Sequence, residues 1–205
     1  MDPKKSKRTP GRPRVKAEMN ITRERIAKTA AHLFMTYGYE VVSMQQVADA
    51  SNVTKASVYY YFKDKATLFT TAVSSMFQRI TKRVEELLNS SKGLENRLYK
   101  VTLEHLQRPH VDFETLLQEA SSSLTEDHIR EIRASEKEIH KALENIFKQA
   151  MENGEIVTTS PLLLAHAFST VTMIKNKTEL ITELGGYEKT AQSLVDLFWT
   201  GIAPK

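Results

Sequence analysis

Proline and glycine, the residues that interrupt regular structure most strongly, are scarce in this chain of 205 residues. Between residues 14 and 203 the only prolines are Pro109 and Pro161. The glycines after residue 37 stand where stretches with a 3.6-residue hydrophobic period stop, which is where helices favour a glycine cap. A β-strand requires a hydrophobic period of two residues, and these stretches do not have it. The sequence therefore predicts an all-α protein of about nine helices.

Two short helices are predicted to follow each other closely after residue 42. Ser43 and Gln46 form a capping box, in which each side chain satisfies a free backbone amide at the start of a helix. Asn52 tolerates a positive φ angle, which suits it to a tight turn. A second short helix is predicted to begin at Thr54. Two short helices around a tight turn form a helix-turn-helix.

Longer helices are predicted on both sides of this pair. Thr22 has the side chain of an N-cap and Gly38 is expected to end the helix that follows, which completes a three-helix N-terminal domain. An amphipathic stretch from about Asp64 toward Ser91 is expected to link this domain to the rest of the chain. Later helices are predicted at 94–107, 112–123, 126–152, 161–180 and 187–200. The predicted division is an arm at 1–16, a helix-turn-helix domain at 17–70 and a helical bundle at 71–205.

The residues around the second short helix resemble those of a known family. The order Tyr59, Tyr60, Phe62, Lys65 after a helix-turn-helix is similar to the recognition-helix region of the TetR/AcrR family of bacterial transcriptional regulators. The resemblance extends over residues 22–70, about a quarter of the chain. It implies a homodimeric DNA-binding regulator with a C-terminal domain that holds a small-molecule effector.

The second helix of a helix-turn-helix enters the major groove with its N-terminal residues toward the base edges. In this chain those residues are Thr54, Lys55, Ala56 and Ser57. The Lys55 ammonium can donate to guanine, the Ser57 hydroxyl can donate or accept, and the Ala56 methyl can meet a thymine methyl. These four residues are the predicted readers of sequence.

A second group of side chains is predicted to contact the DNA backbone. By similarity to the family, Tyr59, Tyr60 and Lys65 contact phosphates, which fix register without reading sequence. Ser43 is expected to meet the backbone at the start of the preceding helix. The alternative is that the aromatic cluster is core. That alternative is accepted for Tyr61 and Phe62 and is left open for Tyr59 and Tyr60.

The positive charge is concentrated at the N-terminus. Residues 1–16 hold seven basic side chains against the single acid Asp2, so the net charge of this arm is +6. The rest of the chain sums to −2, which gives the total net charge of +4. Its Gly11-Arg12-Pro13-Arg14 run is close to the core of an AT-hook, in which an extended segment lays arginines along an A/T minor groove. Arg12 and Arg14 are the predicted contacts. The alternative is a disordered tail that supplies non-specific attraction.

The remaining composition limits the chemistry. The chain has no cysteine, so it has neither a disulfide framework nor a thiolate metal site, and its six histidines show no i,i+4 pair. We see no nucleophile-base motif or phosphate loop and predict no enzyme activity, no cofactor and no metal. There is no secretory signal and no apolar run that could span a bilayer, so a cytoplasmic protein, associated with the nucleoid when bound to DNA, is expected.

Residues 71–205 hold 16 basic and 19 acidic side chains, which makes a second DNA surface improbable. The resemblance implies a ligand pocket and dimerisation through the last two helices, which would form a four-helix bundle between subunits. The predicted pocket residues are Leu103, Phe113, Leu117, Phe147, His166 and Thr170. The predicted dimer residues are Leu163, Phe168, Val171, Leu194, Leu197 and Phe198. Packing of these side chains within the subunit is the alternative for both sets.

The function expected from these features is repression from a pseudo-palindromic operator, with release when an unknown small-molecule effector binds. The alternative is a DNA-binding architectural protein that needs no ligand and whose C-terminal domain serves protein partners. A core without a cavity of ligand size would favour that alternative.

Overall fold

A computed structural model describes residues 12–89, 93–107, 113–176 and 178–204, and gives only the backbone at 12–17, 175 and 176. All regular structure in these residues is helical, which confirms the all-α fold. These described ranges contain ten α-helices, one more than predicted. They are α1 (Arg12–Tyr37), α2 (Met44–Ala50), α3 (Lys55–Tyr61), α4 (Lys65–Asn89), α5 (Leu94–Leu106), α6 (Phe113–Ala120), α7 (Glu126–Glu152), α8 (Pro161–Val171), α9 (Thr178–Glu183) and α10 (Tyr187–Ile202).

Helix α1 begins ten residues before the predicted start at Thr22. The Thr22 hydroxyl donates to the Glu18 carbonyl at 3.1 Å inside the helix, so Thr22 is not an N-cap. A threonine in mid-helix commonly makes this bond to the preceding turn, and the cap signal alone does not separate the two cases. Most residues between Pro13 and Thr22 are good helix formers, and Pro13 is tolerated because it lies in the first turn.

The N-terminal arm therefore differs from its prediction where the structure describes it. Arg12 and Arg14 lie in the first turn of α1, so their backbone is helical rather than extended along a groove. Their side chains, and the whole of residues 1–11 including Pro10 and Gly11, lie outside the described residues. Minor-groove binding by these arginines stays a prediction, and it requires this turn to unwind.

The helix-turn-helix has the predicted local structure. Ser43 caps α2: its Oγ accepts from the Gln46 N–H at 3.2 Å, and the Ser43 N–H donates to Gln46 Oε1 at 2.7 Å. Asn52 has φ 53° at the turn, as expected. Thr54 caps α3, and its Oγ1 accepts from the Ser57 N–H at 3.1 Å.

The core consists of two clusters of buried side chains that meet on α4. The first lies among α1–α4 and also includes Leu116 and Ala120 of α6 and Ile132 of α7. The second lies among α4, α5, α7, α8 and α10. Ile80 of α4 packs against both clusters. The predicted domain boundary at residue 70 falls within α4, and the division into two domains stays a prediction.

The segment predicted as one helix at 161–180 is divided. Helix α8 ends at Val171, a 3₁₀ turn follows at Thr172–Asn176, and α9 begins at Thr178. The hydroxyls of Ser169, Thr170 and Thr172 all donate to carbonyls three or four residues earlier. Such bonds compete with the helix backbone, and β-branched residues weaken the helix further. The other late helices end within two or three residues of their predicted limits, and a second 3₁₀ turn at Ser121–Ser123 continues α6.

Candidate functional site

Four of the residues predicted to contact DNA line one cleft on the helix-turn-helix. Ser43, Lys55, Tyr59 and Lys65 share the wall of this concavity, which has a volume of about 380 Å³. Gln45 of α2 lines it too, and sequence reasoning missed it; its exposed position in the first turn of α2 was the available signal. Three helices and the loop before α2 therefore bring hydroxyl and ammonium donors together at one exposed place.

The cleft carries no excess of positive charge, because Glu40 and Asp64 line it beside the two lysines. The Asp64 carboxylate accepts from the Thr67 N–H at 2.7 Å, and this hydrogen bond holds the pKa of Asp64 below its ordinary value. Asp64 is thereby committed to capping α4. The cleft therefore offers an anion a set of oriented hydrogen-bond donors rather than a net positive charge. Contacts to single phosphate oxygens are made by donors of this kind.

The residues predicted to read bases occupy the N-terminus of α3. Lys55 and Ala56 are exposed and Ser57 is half-buried. The Thr54 Oγ1 lies 2.9 Å from the Ser57 Oγ and accepts the Ser57 N–H, so this hydroxyl is committed to the helix cap. Lys55 is the one cation among the four. Base contact by these residues stays a prediction.

The aromatic residues of α3 separate into exposed and packed side chains. Tyr59 is 47% exposed and Tyr60 is 70% exposed, which excludes a core role for both. Phe62 is fully buried, as predicted, with the Arg23 guanidinium 5.3 Å from its ring centroid. Tyr61 is half-buried and packs against the first core cluster. Tyr60 lies outside the cleft that Tyr59 lines.

Lys65 is held in a defined position at the start of α4. Its Nζ lies 4.3 Å from the centroid of the Tyr39 ring and donates to the Glu40 carbonyl at 3.2 Å. Partial burial lowers the pKa of Lys65, and the nearby Glu40 carboxylate opposes that shift. A lysine resting on an aromatic face loses less side-chain freedom when it binds an anion than a free one does.

A second concavity lies inside the helical bundle. It has a volume of about 240 Å³ and is bounded by side chains from α1 and α4–α8 and the turn that follows α8. Twelve of its twenty lining residues are apolar, among them Met35, Met76, Phe77, Ile80 and Phe113. A mainly apolar concavity that also offers polar groups is typical of a small-molecule site.

Ion pairs hold the polar part of the cavity wall. Arg83 of α4 donates from Nε to Glu104 of α5 at 2.7 Å. Arg133 of α7 donates to both Glu114 oxygens at 2.6 Å and to Glu136 at 2.8 Å. These carboxylates hold the pKa of Arg133 above its ordinary value. A ligand that alters either pair changes how α4, α5, α6 and α7 are held together.

The predicted pocket residues are largely displaced from this cavity. Only Phe113 lines it; Leu103, Leu117, Phe147, His166 and Thr170 do not. Leu117 and Phe147 belong to the two core clusters, while Leu103 is half-buried. The reason is geometric: the cavity lies on the faces of α5 and α7 that carry Val101, Glu104, Glu136 and His140, and periodicity alone does not tell a cavity wall from a packed face.

His166 lies just outside the cavity. It is exposed on α8, and its ring stacks on His140 of α7 with centroids 4.5 Å apart. His140 lines the cavity, and sequence reasoning missed it. Burial lowers the pKa of His140, the neighbouring imidazole lowers it further, and Glu136 opposes both. Thr170 donates to the His166 carbonyl at 2.9 Å and takes no part in the cavity.

The predicted dimer residues also separate into two groups. Leu163 is 60% exposed and Leu197 is 71% exposed. Phe168 is buried, lines the cavity and packs against Phe147 and Phe198, so its assignment to an interface is wrong. Val171, Leu194 and Phe198 are half-buried. The turn of α8 that buries Leu164, Ala165 and Phe168 necessarily directs Leu163 to the opposite side.

Residues 26–72 match the family described as bacterial regulatory proteins, tetR family. The match covers α2, α3, the turn between them and the parts of α1 and α4 that pack on them. Residues 26–72 of this chain therefore form a TetR-family domain. This assignment agrees with the resemblance seen in the sequence, and the members found by comparison are named as regulators or repressors rather than enzymes.

One relative of this chain is the probable acrEF/envCD operon repressor of Escherichia coli K12, which is 38% identical over 56 residues. The aligned part is 27% of this chain and 26% of the relative, so the chain spans about a quarter of the length of that relative. The identity to this relative therefore covers a minor part of the chain, and function beyond that part has to be argued from the structure.

Two solved structures show the same fold over nearly the whole chain. Reduced Escherichia coli NemR has a TM-score of 0.69 at 19% identity, covering 89% of this chain and 97% of its own. Bacillus subtilis FadR in complex with stearoyl-CoA has a TM-score of 0.68 at 17% identity, covering 87% and 98%. At this identity the likeness establishes the fold alone.

Among the residues described, His, Asp and Glu side chains nowhere gather in a group of three that could hold a metal ion. Nor does any helix of the described chain combine the length and hydropathy of a membrane span.

Proposed function

We propose that this TetR-family chain is a homodimeric repressor that binds a pseudo-palindromic DNA operator and is released by a small-molecule effector. The observation that carries the proposal is the convergence of Ser43, Lys55, Tyr59 and Lys65 on one cleft of the helix-turn-helix. The relative of highest identity quoted above is itself named as an operon repressor.

In this proposal α3 enters the major groove and the cleft receives the adjacent phosphates. Lys55, at the first position of α3, is within reach of both base edges and the cleft, whereas Lys65 lies ten residues further on, at the start of α4. Lys55 therefore discriminates between bases, and Lys65, Ser43 and Tyr59 fix the register. The readers are Lys55, Ala56 and Ser57, with Thr54 holding the helix end that presents them.

The internal cavity is the proposed effector site. Helix α4 joins the two sites, because Lys65 at its start lines the cleft while Met76, Ile80 and Arg83 line the cavity. FadR, which shares the fold, is described in complex with an acyl-CoA. In this proposal DNA and the effector favour different positions of α4. The effector then reduces operator affinity by the ratio of its own affinities for these two states of the protein.

The same cavity favours this proposal over an architectural protein that needs no ligand, because that alternative predicts a core without a cavity of ligand size.

Dimerisation is proposed through the exposed faces of α8 and α10. Leu162 and Leu163 on α8 and Leu197 on α10 are large apolar side chains left at the surface. Exposed patches of this kind mark interaction sites. A two-fold axis through them places two copies of α3 on half-sites of one duplex, which is how helix-turn-helix dimers obtain enough base contacts.

Selection of bound duplexes from a random-sequence pool, followed by sequencing, tests the proposal. We expect enrichment of an inverted repeat whose half-sites are separated by about one helical turn. The Lys55→Ala variant should lose the enriched motif, while the control Lys148→Ala, at an exposed position of α7, should keep it. Failure of the wild-type chain to enrich any sequence would refute DNA reading.

The effector is sought by thermal-shift screening of small apolar and amphipathic compounds. A compound that binds the cavity should raise the melting temperature and lower affinity for the selected duplex. Ile139→Trp, which fills the cavity from α7, should abolish the thermal shift without removing DNA binding. If a compound saturates the cavity and operator affinity is unchanged, release by effector is wrong while operator binding stands.

A further inference from the structure

Tyr39 connects the helix-turn-helix to α6. Its backbone N–H donates to the Glu119 carboxylate at 3.0 Å, across 80 residues of sequence. Its ring is buried, stacks on Phe34 and meets Phe69 edge-on at 5.0 Å. Burial raises the pKa of the Tyr39 phenol, and the nearby Ser123 hydroxyl opposes that rise. Helix α6 therefore holds this residue at its backbone.

Gly38 makes the approach of Glu119 possible. A Cβ atom at Gly38 would lie 2.8 Å from Glu119 Oε2, which is closer than real Cβ contacts come. Gly38 also has φ +86°, which ends α1. The carboxylate thus lies against Gly38, directly beside the Tyr39 N–H from which it accepts.

The other face of Tyr39 carries Lys65. The Lys65 ammonium lies over the ring at 4.3 Å, and its second contact is the carbonyl of Glu40, the residue after Tyr39. Both supports of Lys65 belong to residues 39 and 40, and the Glu119 carboxylate accepts from the backbone N–H of the first. The sequence of contacts runs from Glu119 through Tyr39 to the ammonium in the cleft.

The opposite end of α6 lies at the cavity. Phe113 meets Phe77 of α4 edge-on at 4.9 Å, and both rings line the cavity. Glu114 is bound by both Arg133 nitrogens, and the same guanidinium lies 5.4 Å from the Phe113 ring centroid. Eight residues of helix, at 1.5 Å rise per residue, therefore span the distance from the cavity wall to Tyr39.

We propose that Glu119 is a positioning residue for DNA binding: it sets the Tyr39 support on which Lys65 rests and transmits movements of α6 at the cavity to the DNA cleft. The proposal rests on the repressor function proposed above. It assigns a binding role to a side chain outside the helix-turn-helix. A ligand that separates Phe113 from Phe77 would draw Glu119 from Tyr39 and free Lys65.

The test measures affinity for the duplex selected by the wild-type chain as a function of KCl concentration. Glu119→Ala removes the acceptor and should weaken binding roughly three- to tenfold, the range for one lost contact. Because Lys65 no longer holds its phosphate, the slope of log K against log[KCl] should fall by ~1 for each subunit. Glu119→Gln keeps an oxygen acceptor at the same reach and should restore both values.

Two further variants separate positioning from a general structural effect. In a Lys65→Ala background, Glu119→Ala should leave the salt slope unchanged. Glu119→Asp keeps the charge but shortens the side chain by one methylene, and it should lower the slope as Ala does even if the alanine variant folds poorly. An affinity loss with an unchanged slope in both variants would overturn the positioning role.

Transmission from the cavity is tested without an effector by a double-mutant cycle. Phe113→Ala releases the cavity end of α6 and should lower affinity for the selected duplex, and that loss should shrink in the Glu119→Ala background. Additive effects, or no effect of Phe113→Ala, overturn transmission. If the wild-type chain selects no duplex, the repressor function itself fails; if it does and Glu119 variants bind equally well, only the present proposal fails.

Discussion

The DNA cleft and the internal cavity are both concave, yet they are built in opposite ways. The cleft is formed by residues 40–65, and its wall consists mainly of exposed polar groups placed by short helices and caps. The cavity takes side chains from Met35 to Met173, and its wall is mainly apolar. A site built from one local unit depends on few distant contacts, such as that of Glu119 with Tyr39, whereas a site built between helices changes with each of them.

The largest expected effect tests whether these two regions are separate at all. Phe69→Ala removes a fully buried ring that packs on Phe34 at 5.1 Å, and it should lower the free energy of unfolding by about 3–5 kcal/mol. Since the same cluster includes Leu116 and Ile132, we expect one cooperative transition in urea, followed by circular dichroism. Phe147→Ala in the second cluster is the matched control. Two separate transitions would show that the helix-turn-helix domain unfolds alone.

The next effect concerns assembly, which the cleft needs and the cavity does not. Leu197→Glu places a carboxylate in the proposed α8–α10 interface, where an unpaired buried charge costs about 3 kcal/mol or more, roughly a hundredfold in dimer affinity. Analytical ultracentrifugation should then give a monomer that binds half-site duplexes weakly. Leu184→Glu, at an exposed site just after α9, is the control. An unchanged dimer would place the interface elsewhere.

A smaller effect divides the cleft itself into two roles. Lys55→Ala should reduce discrimination against mismatched bases by about 1–3 kcal/mol, whereas Lys65→Ala should weaken binding to all sequences and lower the salt slope by ~1. Competition binding with matched and mismatched duplexes measures both quantities. Lys63 is exposed and lies outside the cleft, so Lys63→Ala controls for loss of charge alone. Equal loss of specificity in both lysine variants would remove the distinction.

The helix-turn-helix was predictable because its signals are local. The capping box of Ser43 with Gln46, the positive φ of Asn52 and the cap at Thr54 each depend on residues within a few positions. Where a local signal has two meanings, prediction fails. Thr22 has the chemistry of a cap and also of a mid-helix threonine, and the contacts that decide between them lie in the preceding turn.

The cavity was not predictable for the opposite reason. Phe147 and Phe113 are both apolar residues on periodic helices, yet one is core and the other is cavity wall. What separates them is the rotation and spacing of helices far apart in sequence. The link from Glu119 to Tyr39 spans 80 residues and has no sequence signal of its own; only the glycine at position 38 hints that something approaches closely.

The smallest expected effect lies at the cavity and depends on pH. Burial and the neighbouring His166 ring hold the pKa of His140 below its ordinary 6.5, so below pH 6.5 the unfolded chain binds this proton more readily than the folded chain does. The free energy of unfolding should therefore fall as the pH drops from about 6.5 through the folded pKa, and that loss should be absent in His140→Gln. Urea unfolding of both proteins at a series of pH values measures the difference, with His32→Gln at an exposed site of α1 as the control. Identical pH dependence in wild type and His140→Gln would mean that the stacked pair relaxes on protonation at no cost, and the cavity wall would then be as tolerant of local change as the cleft.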